Sequence, residues 1–191
     1  MLPRPFIPSK VTLAQWLSTA ALSAHSYPEV GASRGDFPVA YDHDHNKTYL
    51  GEGDKTFEAA KWAIHNWHMF PAPWTKVYPY PAPLQKGTAV LVLFRLFGLW
   101  WVNPCRIIYI VDEKMRFGFA YGTLPGHVEK GEEYFGVYQD EAGKVWYEIH
   151  AFSRPAHWAV RLSYPLSRRF QRRFVRGSLA RMREATSEAK G

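Results

Sequence analysis

Cysteine is nearly absent from this chain. Cys105 is the only thiol in 191 residues, which rules out an intramolecular disulfide and any thiolate-based zinc site built within one chain. Its neighbours Pro104, Arg106, Ile107 and Ile108 read as the start of a buried strand, so Cys105 is expected to be a structural thiol and not a nucleophile. Long apolar runs are lacking too. The longest, Ala89 to Val102, is broken by Arg95 and Gly98 and falls short of the roughly 20 residues a bilayer-spanning helix needs. Met1 to Lys10 holds three prolines and no continuous apolar core, so no export signal is read and the chain is expected to be soluble and cytoplasmic. Neither GxxxxGK[ST] nor HExxH occurs, which excludes a P-loop and a zincin-type metal site.

What is abundant is aromatic surface. Eight Trp, eleven Tyr and twelve Phe make up 16% of the chain, enough for a core or a cavity walled by large flat side chains. Charge is unevenly placed. Residues 161–191 carry eight Arg and one Lys against Glu184 and Glu188, which is the whole net charge of +7, and the first 160 residues balance to zero.

Patterning sets the order of elements. Val11 to Ala24 reads as a helix capped by Ser9 or Thr12, with Leu13, Trp16, Leu17 and Ala20 on one face. YPEVGASRGD (27–36) reads as loop, and Val39 to Leu50 as extended. Asp54 is the expected N-cap of a second helix carrying Phe57, Ala60, Ile64, Trp67 and Met69, with Pro71 and Pro73 ending it. The period then switches to two. Strands are expected at 76–80, 88–97, 105–112, 116–123, 132–139 and 145–153, with Asn103-Pro104 among the separating turns. A long helix from about Ser163 to Ala189 closes the chain, with Leu166, Phe170, Phe174, Ser178 and Met182 as its buried stripe.

This predicts an α+β fold. An antiparallel sheet of six to seven strands wraps a long C-terminal helix, the only element expected to be long enough to cover it. The order resembles the helix-grip fold of START-like and Bet v 1-like proteins, with an extra N-terminal helix as a departure. One domain is expected, with 1–36 as a helix-and-loop extension and 37–191 as the core.

A more specific resemblance lies in the motifs. YPEVGASR (27–34), YLGEGDKTFEAAKWAIHNWHMF (49–70), CRIIYIVDE (105–113), FGFAYGTLPGHVEKGEEYF (117–135) and VWYEIHAFSRP (145–155) are similar to the domain-of-unknown-function 1990 family, in order and in spacing. The resemblance covers nearly the whole chain from residue 27. It implies one whole-chain domain and brings no reaction, ligand or catalytic residue with it.

Candidate chemistry concentrates in residues 116–138. Phe117, Phe119 and Tyr121 share one strand face, and Gly118, Ala120 and Gly122 form a smooth opposite face open to close approach by a ligand, a helix or a strand. In the next strand Glu133 falls on the face of Phe135 and Val137. A carboxylate there enters the interior and needs a partner or a raised pKa, with His127, Lys130, Arg116 and Arg154 as partners. A His127–Glu133 pair could move a proton; an ion-pair network or a ligand anchor would use the same residues. In Asp42-His43-Asp44-His45 the two histidines share one face and the two aspartates the other, so no metal site is expected.

The leading expectation is a small apolar or amphipathic molecule held between sheet and terminal helix, without a cofactor. Its polar edge would come from His127, Glu129, Glu133 and Arg154, with Arg34 from the loop; Tyr121, Trp146 and Tyr147 would form the wall. Two other classes compete. One is an enzyme using His127 or Glu133 in the same cavity. The other is a basic docking module acting on nucleic acid or an anionic membrane through a ridge of Arg168, Arg172 and Arg176, with Arg169 and Arg173 beside it. Stacking aromatics are not interleaved with that ridge, which argues against single-stranded nucleic acid.

Overall fold

The period-two stretches form one seven-stranded sheet. In the computed structural model, which describes residues 3–156 and 164–187, the strands are β1 (Asp42–Glu52), β2 (Thr75–Tyr78), β3 (Ala89–Leu96), β4 (Leu99–Glu113), β5 (Arg116–Thr123), β6 (Glu129–Gln139) and β7 (Lys144–Pro155). Their order is β1-β7-β6-β5-β4-β3-β2, and every pairing is antiparallel. Strands β2 to β7 thus form a meander, with β1 added at the far edge. Register shifts at Ile107/Tyr109 and Tyr49/Gly51 are bulges, which bend the strands that carry them. The helices are α1 (Lys10–Leu22), α2 (Gly53–His65) and α3 (Tyr164–Ser187), with a 3-10 turn at Ala32–Arg34. The architecture is α+β and helix-grip-like, with an added N-terminal helix.

Several boundaries differ from the sequence reading, β6 starting at Glu129 among them, and two have a visible reason. Asn103-Pro104 lies inside β4 and makes no turn. The Pro104 carbonyl accepts from Leu124 N, beyond the end of β5, so the missing N–H of Pro104 faces that side and no bond to β3 is lost. The turn comes earlier, at Phe97 and Gly98, both at positive φ (50° and 76°), as a two-residue hairpin requires. Helix α2 stops at His65, short of Pro71. Trp67, at φ 56°, follows the helix while His68 N bonds to Ala63 O at 2.9 Å, a Schellman-type end that leaves Trp67 and Met69 buried beyond the helix. Asp54 lies in the first turn and the N-cap is Glu52.

The concave face of the sheet is covered by two helices, not by the terminal one alone. Phe57, Ala60, Ala63 and Ile64 of α2 and Met182 of α3 join Phe117, Phe119, Phe135, Val137 and Ile149 in one core. Each of the larger side chains among them, fully buried, contributes about 1.5–3 kcal/mol relative to exposure. On the convex face α1 lays Leu13, Trp16 and Leu17 over Leu91, Leu93, Trp100 and Val102. Arg106 ties its end down by donating to the carbonyls of Ala20, Ala21 and Ser23 at 3.0, 2.9 and 2.8 Å, groups left free where a helix stops. Ser9 Oγ accepts from Thr12 N at the other end.

Candidate functional site

The concave side is not filled along its whole length. Between the sheet and α3 lies a hollow of about 420 Å³, within the range of roughly 300–1,000 Å³ that small-molecule sites occupy. Phe70, Trp74, Phe94, Trp101, Phe170 and Phe174 supply much of its wall. Its polar residues include Asp44, His127, Glu129, Glu133, Ser153 and Gln171. Strand alternation explains the convergence: Glu129, Glu133 and Phe135 share the concave parity of β6, as do Tyr121 and Thr123 on β5 and Ile149, Ala151 and Ser153 on β7.

The polar groups form a defined set of contacts. Tyr121 Oη donates to Glu133 Oε2 at 2.6 Å. Gln171 Nε2 donates to Glu129 Oε1 at 2.6 Å and lies 3.4 Å from Ser153 Oγ. Arg168 reaches across from α3 and engages both oxygens of Asp44, Nη2 to Oδ1 at 2.8 Å, while Nη1 also donates to Gln171 Oε1 at 2.7 Å. Burial pushes the Glu133 carboxyl up to about 7, with the Tyr121 hydrogen bond opposing the rise and the charges of Glu129 and Asp44 adding to it. Glu129 is raised by the same burial, against hydrogen bonds from Gln171 and Ser153. Burial also holds the Tyr121 hydroxyl well above its ordinary range, so it stays a donor.

His127 is held differently. Its Nδ1 accepts from Glu129 N at 2.9 Å, which leaves Nε2 as the nitrogen bearing the proton. Burial lowers its pKa to about 4, so the ring is neutral at pH 7. No hydrogen bond joins it to Glu133, whose partner is Tyr121. The direct His–Glu pair considered from sequence is therefore not formed.

Of the residues expected at the site, Tyr121, His127, Glu129 and Glu133 line the hollow together, and the other four are elsewhere. Arg34 stacks over the Tyr109 ring, 4.1 Å from its centroid, on the convex face. Arg154 sits 4.6 Å over the Tyr41 ring, having the parity of Phe152 on the same convex side. Trp146 also points that way, donating to Asp140 Oδ2 at 3.0 Å, because alternate residues of β7 face opposite sides. Tyr147 has the concave parity but is fully buried in the core beside the hollow, where its hydroxyl meets Ser178 Oγ at 2.8 Å.

The smooth Gly/Ala face of β5 is occupied by protein. A Cβ at Gly122 would lie 2.1 Å from Tyr27 Oη, and one at Gly118 would meet Phe135 O and Tyr134 Oη. The YPEVGASR loop is thereby pinned against the sheet. Glu132, on the convex side of β6, accepts from Tyr27 Oη at 2.7 Å, from Gly31 N, and from Ser33 N at 2.9 Å. Cys105 is wholly buried, and burial raises its thiol, so it stays protonated.

Asp44, Arg168, Gln171, Ser153 and the two tryptophans were missed from sequence. Asp44 had been considered only for metal, and among the described residues no group of three or more His, Cys, Asp and Glu is arranged to hold one. His45 instead stacks on Phe37. Arg168 leaves the proposed basic ridge to pair with Asp44, and Arg169, Arg172, Arg173 and Arg176 remain exposed on α3. Arg161 lies outside the described residues. The parity of Asp42 and Asp44, opposite the histidines, was the available signal for Asp44; for Arg168 it was the spacing to Gln171 and Val175, three and seven residues on.

No helix among the described residues is long and apolar enough to cross a membrane. Solved structures share the fold at low identity. A norcoclaurine synthase from Thalictrum superposes with a TM-score of 0.51 at 11% identity, covering 82% of this chain and 100% of that one. A hypothetical protein from Helicobacter pylori gives 0.51 at 12%, covering 73% and 86%. In sequence, a UPF0548 protein of Deinococcus radiodurans is 37% identical over 186 residues, 91% of this chain and 92% of that protein. A UPF0548 protein of Dictyostelium discoideum is 36% identical over 157 residues, 76% and 73% of the two chains. The family model described as domain of unknown function (DUF1990) matches residues 26–181. With most of its length inside that match, including every strand and the loop pinned by Glu132, the chain belongs to the DUF1990 family.

Proposed function

We propose that this protein binds a small, largely apolar molecule in the hollow between the sheet and α3. The observation that carries the reading is an aromatic-walled space, left open beside a buried core, into which Glu129 and Glu133 each bring a carboxylate with a defined donor. A packed structural core would place side chains there, since interiors leave few voids larger than a water molecule. Titration with 1-naphthylmethanol, followed by tryptophan quenching, tests it. Saturable binding that is lost in Ala151→Trp, a substitution on the hollow wall, supports the reading. Quenching that never saturates, or saturates equally in Ala151→Trp, refutes it.

A second reading is acid–base catalysis in the same space, favoured by a Glu133 carboxyl that titrates near 7 beside a hydroxyl donor. An apolar ketone such as 1-(2-naphthyl)propan-2-one would then exchange its α-protons with deuterated solvent faster in the presence of the protein than in buffer. The acceleration should vanish in Glu133→Gln. Exchange at the buffer rate rules this reading out.

A further inference from the structure

The hollow is one-sided in charge. Asp44, Glu129 and Glu133 line it, Glu132 borders it while its carboxylate is taken by the loop on the convex side, and no Lys or Arg is among the described residues of the lining. Arg168 of α3 engages both oxygens of Asp44, and Arg173 sits 4.5 Å over the ring of Trp74, a wall residue. Glu129 and Glu133 are met by neutral donors, the Gln171 amide and the Tyr121 hydroxyl. Glu133 Oε1 accepts no hydrogen bond from a described residue. Among the described residues none accepts a hydrogen bond from His127 Nε2. Trp101, another lining residue, has its indole N–H buried without a partner. Of these only the Trp101 N–H is a buried group without a partner, and buried polar groups are ordinarily paired. Glu133 and His127 are half-buried residues lining the hollow, so a donor on a ligand would meet Glu133 Oε1 and an acceptor elsewhere on it would meet the two N–H groups.

Resting on the binding reading above, we propose that the molecule taken up carries a protonated amine, seated against Glu133 and Glu129, with its apolar body along Phe94, Trp101, Phe170 and Phe174. A carboxylate or phosphate ligand would add negative charge next to two carboxylates and find no free cation in the described wall. Burial makes that repulsion stronger than it would be in water. A neutral donor such as a hydroxyl could meet the open Glu133 oxygen but would leave the carboxylate charge unbalanced. An ammonium supplies several donors to the carboxylate oxygens and offsets their charge, and the aromatic faces nearby accept a cation without a desolvation penalty as large as an aliphatic wall would impose. The titratable and charged groups around the seat include Glu129, Glu133, Asp44 and Arg168, with Tyr121, Tyr147, Cys105 and the neutral His127, and with Glu132 and Arg173 at its edges.

Calorimetric titration of the full chain with three probes of one shape tests this: 1-naphthylmethylamine, 1-naphthylmethanol and 1-naphthoic acid, at pH 7.5 and low salt. The amine is expected to bind at least tenfold tighter than the alcohol, and the acid weakest. In Glu133→Gln the amine should fall to the level of the alcohol, with an unchanged far-UV circular dichroism spectrum showing that the variant is folded. Glu129→Gln, measured in parallel, should reduce the amine preference in the same direction. Alcohol binding as tightly as amine, or acid binding tightest, overturns the amine assignment and leaves the apolar-ligand reading standing. An amine preference untouched by both variants overturns it as well. No binding by any probe overturns the apolar-ligand reading and this inference with it.

Discussion

Tyr121 and Glu133 face each other across the β5–β6 pairing, and the tyrosine hydroxyl donates to the carboxylate at 2.6 Å. The two side chains project from the concave face at the same level, so strand register alone brings a donor to a carboxylate that burial would otherwise leave unsupported. The hydrogen bond is not enough to offset that burial, and the carboxyl remains raised to about 7.

That rise has a consequence for stability. Between pH 4.5 and 7 the folded state keeps a proton on Glu133 that the unfolded chain has lost, so this group lowers stability as pH rises through that window. His127 acts oppositely. Lowered from 6.5 to about 4, it withholds in the folded state a proton the unfolded chain takes up, and stability falls as pH drops from 6.5 to 4. The two slopes oppose each other where they overlap. In Glu133→Gln the first is removed, and the variant should gain on the parent by roughly 3 kcal/mol between pH 4.5 and 7. Urea unfolding of both proteins at several pH values measures the difference. Parallel profiles would mean that Glu133 titrates normally.

Glu132→Ala should detach the YPEVGASR loop. Three hydrogen bonds to a buried carboxylate are lost, and the freed donors include the amides of Gly31 and Ser33. The expected cost is about 3 kcal/mol. Hydrogen exchange should show the Ser33 amide losing protection while Phe119 in β5 keeps it. Unchanged protection at Ser33 would show that the loop is held by other contacts.

Two buried tyrosines should respond differently to loss of their hydroxyls. The Tyr134 hydroxyl is buried without a hydrogen-bond partner, whereas that of Tyr147 meets Ser178 Oγ at 2.8 Å. Tyr134→Phe is expected to leave stability unchanged or slightly raised, and Tyr147→Phe to cost about 1 kcal/mol. Thermal unfolding of the two variants decides it, and equal losses would contradict the hydrogen-bond assignment.

Arg168 and Arg172 lie one turn apart on α3 but have different surroundings. Arg168→Gln breaks a bidentate pair with Asp44 and should cost about 1–2 kcal/mol. Arg172 is exposed, and Arg172→Gln should stay within about 0.5 kcal/mol. Chemical denaturation checks both. A similar cost at the two positions would place Arg168 on the solvent ridge.

Much of the fold was legible because strand periodicity is local. Arg116–Thr123 is bounded as the alternation of its aromatics and glycines indicates, and the same parity placed Glu133 on the inner face. What could not be read depends on contacts distant in sequence. Trp67 ends α2 through a backbone conformation that no sequence rule assigns to tryptophan, and Pro104 passes for a turn until its nitrogen is seen to face the end of β5. Half of the candidate site was found for the same local reason, since Tyr121, His127, Glu129 and Glu133 belong to one hairpin. Arg34 and Arg154 were misplaced because a cation near a candidate pocket was expected to enter it, whereas both stack on convex-face tyrosines. Asp44 and Arg168, 124 positions apart, are joined only by the docking of α3 against β1.

The most direct measurement is an amide chemical-shift map of the isotopically labelled protein titrated with 1-naphthylmethylamine. The expected result is a saturable set of shifts at Val92, Trp101, Tyr121, Glu133 and Ala151, all on strands that wall the hollow. Shifts confined to the exposed arginine face of α3, or spread without saturation over the surface, would contradict ligand binding between the sheet and the helix.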